Sequence, residues 1–166
     1  MAIKRKKLGY DHPSTAYTLN NIGNAYSSKG EYDKAIEYYK KSLAIKRKKL
    51  GGDHPSTAET ETGLGYSLVM TGKEAEGLKL LDHALAARRK KLGDDHPDTA
   101  ETYHFSGLAR LELSRRNKSA DALKSAEEYL RNALAVRKEK FGSDHSKTKE
   151  TIRTLEQLKQ IRSENK

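Results

Sequence analysis

Four Asp-His pairs are the first feature of this sequence that could do chemistry, because both residue types bind metal ions and transfer protons. The pairs are Asp11-His12, Asp53-His54, Asp95-His96 and Asp144-His145, which recur after 42, 42 and 49 residues. Zinc ligands lie about 2.0–2.1 Å from the metal, whereas equivalent points of successive helical repeats are at least one helix diameter apart. We therefore expect no metal site, and we place the histidines at helix starts with the aspartates near the N-terminal dipole.

Each Asp-His pair belongs to a longer cassette that marks a joint between helices. The cassettes are Leu-Gly-Tyr-Asp-His-Pro at 8–13, Leu-Gly-Gly-Asp-His-Pro at 50–55, Leu-Gly-Asp-Asp-His-Pro at 92–97 and Phe-Gly-Ser-Asp-His-Ser at 141–146. Glycine is favoured just past a helix end and proline at the first helical position. Between the cassettes, apolar residues recur at helical spacing on both sides of a break such as Lys29-Gly30. The 42-residue unit is therefore predicted to be a hairpin of two helices.

The spacing predicts one all-α repeat domain over residues 1–166. Residues 1–9 match the end of a second helix, and the matching units after them are 11–52, 53–94, 95–143 and a capping helix at 144–166. The unit at 95–143 has seven extra residues near 113–119, which either lengthen its two helices or bulge as a loop. Because residues 1–9 match only the end of a helix, the start of the array lacks a paired helix. This predicts self-association through that end as an alternative function.

Glycines in the middle of the first helices predict close helix packing. Gly23, Gly65 and Gly107 occupy equivalent positions, where glycine costs about 1 kcal/mol relative to alanine. We expect the compensation to come from the paired helix, which has the small residues Ala35, Gly77 and Ala126 opposite.

The composition excludes several classes of protein. The chain has no cysteine, so disulfides and thiolate chemistry are excluded, and an intracellular, cytoplasmic location is the default. No stretch of about 18 apolar residues predicts a membrane span. No phosphate-binding glycine loop, nucleophile turn or convergent carboxylate pair is found, so we predict no catalysis, no small-molecule substrate and no cofactor.

The charge is basic and clustered. Lys and Arg number 33 against 23 acidic residues, a net charge of +10. The excess lies at the ends of the second helices, and two complete clusters are Lys46, Arg47, Lys48, Lys49 and Arg88, Arg89, Lys90, Lys91. Either these cations only stabilise the helix C-termini, or they form a basic edge that attracts an acidic partner. Nucleic acid is the least favoured partner, because aromatic residues do not interleave with the basic runs.

Two stretches, Thr18–Tyr26 and Gly30–Tyr39, resemble the tetratricopeptide repeat consensus. The 42-residue period and the Leu-Gly-x-Asp-His-Pro joint are similar to the kinesin-light-chain type of this repeat, and the resemblance covers residues 1–162. It implies a right-handed α-solenoid of three helix hairpins plus a C-terminal capping helix. It also implies a concave groove, lined by the first helices, that binds a peptide or helix of a protein partner.

The resemblance also implies which residues face that groove. In kinesin light chains a Leu-Asn-Asn stretch holds the backbone of a cargo peptide, and here only Leu19-Asn20-Asn21 matches it. The implied groove residues are Asn20, Asn21, Asn24, Ser28, Tyr66, Met70, His104, Phe105 and Leu108. For the apolar members, packing between helices is the alternative to ligand contact. The leading hypothesis is a peptide-binding scaffold, and the alternatives are a self-associating structural segment and a basic docking edge.

Overall fold

The structure, a computed structural model, describes residues 12–164, and within that range it contains seven α-helices and no β-strand. The helices are α1 (Pro13–Ser28), α2 (Tyr32–Leu50), α3 (Pro55–Met70), α4 (Glu74–Leu92), α5 (Pro97–Asn117), α6 (Ala120–Phe141) and α7 (Ser146–Glu164). The predicted all-α repeat fold is confirmed. In the described part of the chain, no helix is long and apolar enough to cross a membrane. The predicted helix end at residues 1–9 lies outside the described residues.

The chain divides into two compact units. The first extends to Ala87 and contains the hairpins α1/α2 and α3/α4, apart from the end of α4. The second begins at Arg88 and contains that end of α4, the hairpin α5/α6 and then α7.

Each unit has its own apolar core. In the first unit, Ile36, Tyr39 and Leu43 of α2 pack against Leu64 and Leu68 of α3, and all five side chains are buried. In the second unit, the core cluster joins all three of its complete helices. Its buried members are Leu111, Leu123, Ala126, Leu130 and Leu158. The apolar stripes that predicted the hairpins thus face these cores.

The repeated histidines start the helices. Nδ1 of His12, His54, His96 and His145 accepts a hydrogen bond from the backbone N–H two residues later, at 3.1–3.2 Å. This contact satisfies one of the donors that every helix N-terminus leaves free. At the preceding helix ends, Gly51, Gly93 and Gly142 have positive φ angles of 82–93°, a conformation that side chains disfavour. The cassette is therefore a helix stop followed by a histidine-capped helix start.

The seven extra residues of the 95–143 unit are absorbed by its helices. The helix α5 has 21 residues where α1 and α3 have 16, and α6 has 22 where α2 and α4 have 19. Only Lys118 and Ser119 connect α5 to α6. Of the two sequence-based alternatives, the longer hairpin is the one that forms, and no loop bulges out.

Close helix packing explains the glycine at position 65. A Cβ atom there would lie 2.7 Å from the carbonyl oxygen of Gly77 and 2.9 Å from Cγ of Leu81, both on α4. The expected Gly65–Gly77 approach is present. At Gly23 the partner differs from the expected Ala35, because a Cβ there would lie 2.7 Å from the Tyr39 ring.

Replacing Gly65 by alanine tests this packing. Alanine is the better helix former by about 1 kcal/mol, but the overlap with the Gly77 backbone is expected to cost about 1–3 kcal/mol. We expect G65A to lower the midpoint of thermal unfolding. The control is G52A, since a Cβ at residue 52 meets no atom within 4 Å. A G65A protein at least as stable as G52A would contradict the close approach.

Candidate functional site

The polar residues predicted on α1 separate into a buried one and three exposed ones. Asn21, Asn24 and Ser28 are exposed, whereas only 1% of Asn20 is accessible. The Asn20 amide donates to Oε1 of Glu59 at 2.9 Å and accepts from the Thr60 hydroxyl at 2.8 Å. Asn20 therefore joins α1 to α3, and the exposed polar surface of α1 is made by the other three.

A tyrosine from the second helix orients Asn24. The Tyr39 hydroxyl donates to Oδ1 of Asn24 at 2.8 Å, and burial raises the pKa of Tyr39, which keeps that donor protonated. A Cβ at residue 63 would lie 2.5 Å from Cζ of Tyr39, so the glycine on α3 gives this ring its space. With its oxygen occupied, Asn24 presents its NH₂ group as a donor.

The equivalent positions on α3 are apolar. Tyr66 and Met70 are each half-buried, and they lie 42 residues after Asn24 and Ser28. The Tyr66 ring meets the Tyr32 ring edge-on, with centroids 5.9 Å apart. We call the surface formed by Asn21, Asn24, Ser28, Tyr66 and Met70 the α1–α3 face. It combines amide donors and acceptors with an adjoining apolar part.

In the second unit, the predicted groove residues are more buried. Phe105 and Leu108 are half-buried, and only 1% of His104 is accessible. His104 stands at the position of Asn20 in the repeat and makes equivalent contacts. Its Nε2 lies 3.5 Å from Oε2 of Glu150, and its Nδ1 lies 3.3 Å from the Thr151 hydroxyl. His104 therefore joins α5 to α7.

Lys46 and Arg88, which were predicted on the basic edge, are buried at the joints, and so is Arg137 at the equivalent position of the next unit. Nζ of Lys46 donates to the Ser56 carbonyl at 2.8 Å, Nη1 of Arg88 to the Asp98 carbonyl at 2.6 Å, and Nη1 of Arg137 to the Lys147 carbonyl at 2.8 Å. The accessible fractions are 2%, 4% and 2% in the same order. We call these three residues the joint cations. Each ties the end of one helix to the first turn of the next.

Two family profiles, both described as tetratricopeptide repeat, match residues 15–56 and 56–128. Together they cover more than half of the chain. The chain belongs to the tetratricopeptide repeat family. No curated protein sequence matches it.

Solved structures with this repeat are similar in fold. Nearly identical TPR-like repeats of a proposed kinesin light chain from Podosopora anserina align with a TM-score of 0.63 and 23% identity, over 99% of this chain and 83% of that one. The first TPR domain of human RPAP3 aligns at 0.60 and 20%, over 92% and 96%. The first TPR of Spaghetti (RPAP3), bound to the HSP90 peptide SRMEEVD, aligns at 0.50 and 21%, over 84% and 92%.

The remaining cluster residues of this tetratricopeptide array are exposed. Arg47, Lys48, Lys49, Arg89, Lys90 and Lys91 all lie at the surface. Arg47 forms an ion pair with the buried Glu61 at 2.7 Å, and Arg89 forms one with Asp94 at 2.5 Å. The second carboxylate oxygen of Glu61 lies 2.7 Å from Nδ1 of His83. Burial of Lys46 and Arg88 and the ion pairs of Arg47 and Arg89 therefore reduce the basic charge that the two clusters present at the surface.

A signal in the sequence could have identified the joint cations. Lys46, Arg88 and Arg137 each stand eight residues before a cassette histidine, whereas their basic neighbours vary in number and type. A cation that recurs in register with the helix start is a candidate for a fixed contact with that start. Within residues 12–164, no group of three His, Asp or Glu side chains is arranged to hold a metal ion.

Burial of His104 predicts a pH dependence of stability. Burial lowers the pKa of His104 below its usual 6.5, and the neighbouring Glu150 opposes this effect only partly. In the unfolded chain the ring takes a proton near pH 6.5, so the stability contributed by the neutral ring is present above that pH and is lost as the pH falls towards the folded-state pKa.

We therefore expect H104N to lose less stability than the wild type between pH 7.5 and pH 5, measured by urea unfolding. Asparagine is chosen because Asn20 occupies the equivalent position. Both proteins share every other titratable group, but contact with His104 also lowers the pKa of Glu150, so the difference between their profiles reports the His104–Glu150 pair. Parallel profiles would show that burial does not suppress protonation of this histidine.

Proposed function

We propose that this chain is a non-catalytic protein–protein interaction module that binds an extended peptide segment of a partner protein on the α1–α3 face. The observation that carries the proposal is the 2.8 Å hydrogen bond from Tyr39 to Asn24. It holds an exposed amide in one orientation before a ligand arrives. Pre-ordering of this kind reduces the entropy lost on binding.

The chemistry of the face suits a peptide backbone. The Asn24 NH₂ group can donate to a backbone carbonyl, and the exposed Asn21 amide can both donate and accept. Such contacts satisfy a peptide of many sequences, because every residue has the same backbone groups. Tyr66 and Met70 add an apolar contact for one or two ligand side chains. The Spaghetti repeat domain, which is similar in fold, binds the HSP90 peptide SRMEEVD.

Two other functions inferred from the sequence stay predictions. Self-association through the open end depends on residues 1–9, which lie outside the described residues. Docking of an acidic partner depends on the basic clusters, in which Lys46 and Arg88 are buried at the joints. The α1–α3 face is favoured because its donor is exposed and already oriented.

Selection of peptides from a random library against this protein provides ligands for the test. A neutral hydrogen bond contributes about 0.5–1.5 kcal/mol, so N24A is expected to weaken binding about twofold to tenfold, and N21A/N24A further. We expect Y39F to weaken binding less, because the amide remains but loses its fixed orientation. Affinities are measured by fluorescence anisotropy of labelled peptides.

The matched control is N132A, which removes an exposed asparagine from α6 in the second unit. We expect this variant to bind the selected peptides like the wild type. If N21A/N24A also binds them with unchanged affinity, the assignment of the α1–α3 face is wrong.

A further inference from the structure

A second candidate surface lies in the second unit, between α6 and α7. A cavity of about 280 Å³ is lined by residues of both helices. Its floor is apolar and half-buried, and its rim is charged. We call it the cap groove and define it by Leu134, Ile152 and Leu155 on the floor and Lys138, Glu156 and Lys159 on the rim.

The equivalent groove in the first unit shows what kind of element fits there. Leu43 of α2 and Leu64 of α3 stand 91 residues before Leu134 and Leu155, and both belong to the buried core of the first unit. The helix α4 covers that groove, since the Gly77 carbonyl lies against Gly65 and Leu80 packs on the core. The cap groove is formed by α6 and α7, which are the counterparts of α2 and α3 in the repeat. A helix is therefore the occupant that this geometry accepts.

The cap groove differs from its counterpart in ways that define the occupant. Glu156 stands where Gly65 allows the closest helix approach, and Lys159 stands where Leu68 is buried. An occupant must therefore lie farther from α7 than α4 lies from α3. It must also present polar groups to the rim while it covers the apolar floor, which is the character of an amphipathic helix.

The charges of the rim residues determine which polar groups the occupant must present. Glu127, which also lines the cavity, is paired with Arg131 at 2.7 Å and with Arg162 at 2.6 Å. Within the described residues, Lys138, Glu156 and Lys159 form no ion pair, so two cations and one carboxylate remain to be matched. This balance favours carboxylates on the occupant.

We propose that the cap groove binds an acidic amphipathic helix of a partner protein. An aliphatic side chain of that helix contacts Leu134, Ile152 and Leu155, and its carboxylates pair with Lys138 and Lys159. This site shares no residue with the α1–α3 face, and its test does not depend on the outcome there.

The probe is a capped peptide with the sequence of residues 74–87, taken from the helix that fills the equivalent groove. It carries the aliphatic face of α4 and a net charge of −2, from Glu74, Glu76 and Asp82 against Lys79. Because a 14-residue helix is only marginally stable alone, we expect weak binding with a Kd below about 1 mM. The control probe is the same peptide with L81D, which places a charge on its apolar face.

Binding is measured by NMR titration of the ¹⁵N-labelled protein. We expect the probe to shift amide signals of α6 and α7 in a saturable way and the control probe to leave them unchanged. Exposed charge pairs contribute little individually, so K138E/K159E is expected to weaken binding about threefold to tenfold. K124E, which reverses an exposed charge on α6 outside the groove, should bind like the wild type.

Three results would overturn the proposal. The first is no saturable shift up to about 1 mM probe. The second is equal affinity of the wild type and K138E/K159E. The third is concentration-dependent dimerisation of the wild type in sedimentation that K138E/K159E abolishes, because the occupant would then be a second copy of the chain.

Discussion

The arrangement of the helices depends on the joint between the end of one second helix and the start of the next first helix. At each of the three described joints a buried cation donates to a backbone carbonyl in the first turn of the following helix, at 2.6–2.8 Å. Hydrogen bonds from charged groups are the stronger ones, and burial increases their strength. Each joint cation therefore ties the C-terminal end of one helix to the first turn of the next.

The contact between successive first helices decides which polar residues are available to a ligand. Asn20 and His104 point into the contact between successive first helices, where they bond to Thr60 or Thr151 and approach Glu59 or Glu150. Asn24, one helical turn after Asn20, lies at the surface. The exposed polar residues of the α1–α3 face are Asn21, Asn24 and Ser28. In the second unit the structural contact recurs through His104, whereas the position of Asn24 is taken by the half-buried Leu108.

Periodicity in the sequence predicted most of the fold. The recurring cassette and the helical spacing of apolar residues were sufficient for the hairpins and the positions of the joints, because both signals depend on local backbone chemistry. The division of the seven extra residues between α5 and α6 could not be predicted, since a loop and two longer helices satisfy the same spacing. Which of these forms is decided by packing across the hairpin.

The candidate site was less predictable than the fold. Polar residue types indicate the surface on average, so Asn20, His104, Lys46 and Arg88 were all expected to be exposed. Their burial depends on partners 10 to 47 residues away, such as Glu59 for Asn20 and Thr151 for His104. The role of Tyr39 could not be predicted from the sequence for a similar reason. Tyr39 stands at an apolar position of α2, and its hydroxyl group reaches Asn24 on α1 in the space that the glycine at residue 63 leaves for the ring.

Hydrogen exchange of the R137M variant tests the role of the joint cations most directly. Arg137 donates to Lys147 and Thr151 of α7, and hydrogen bonds to charged groups contribute about 1.5–3 kcal/mol. We expect the amides of α7 to lose protection by about that free energy, while the amides within α5 and α6 keep theirs. K138M, which changes the exposed neighbouring cation, should leave α7 protected as in the wild type. Equal protection of α7 in R137M and K138M would contradict the claim that the joint cation holds the next helix in place.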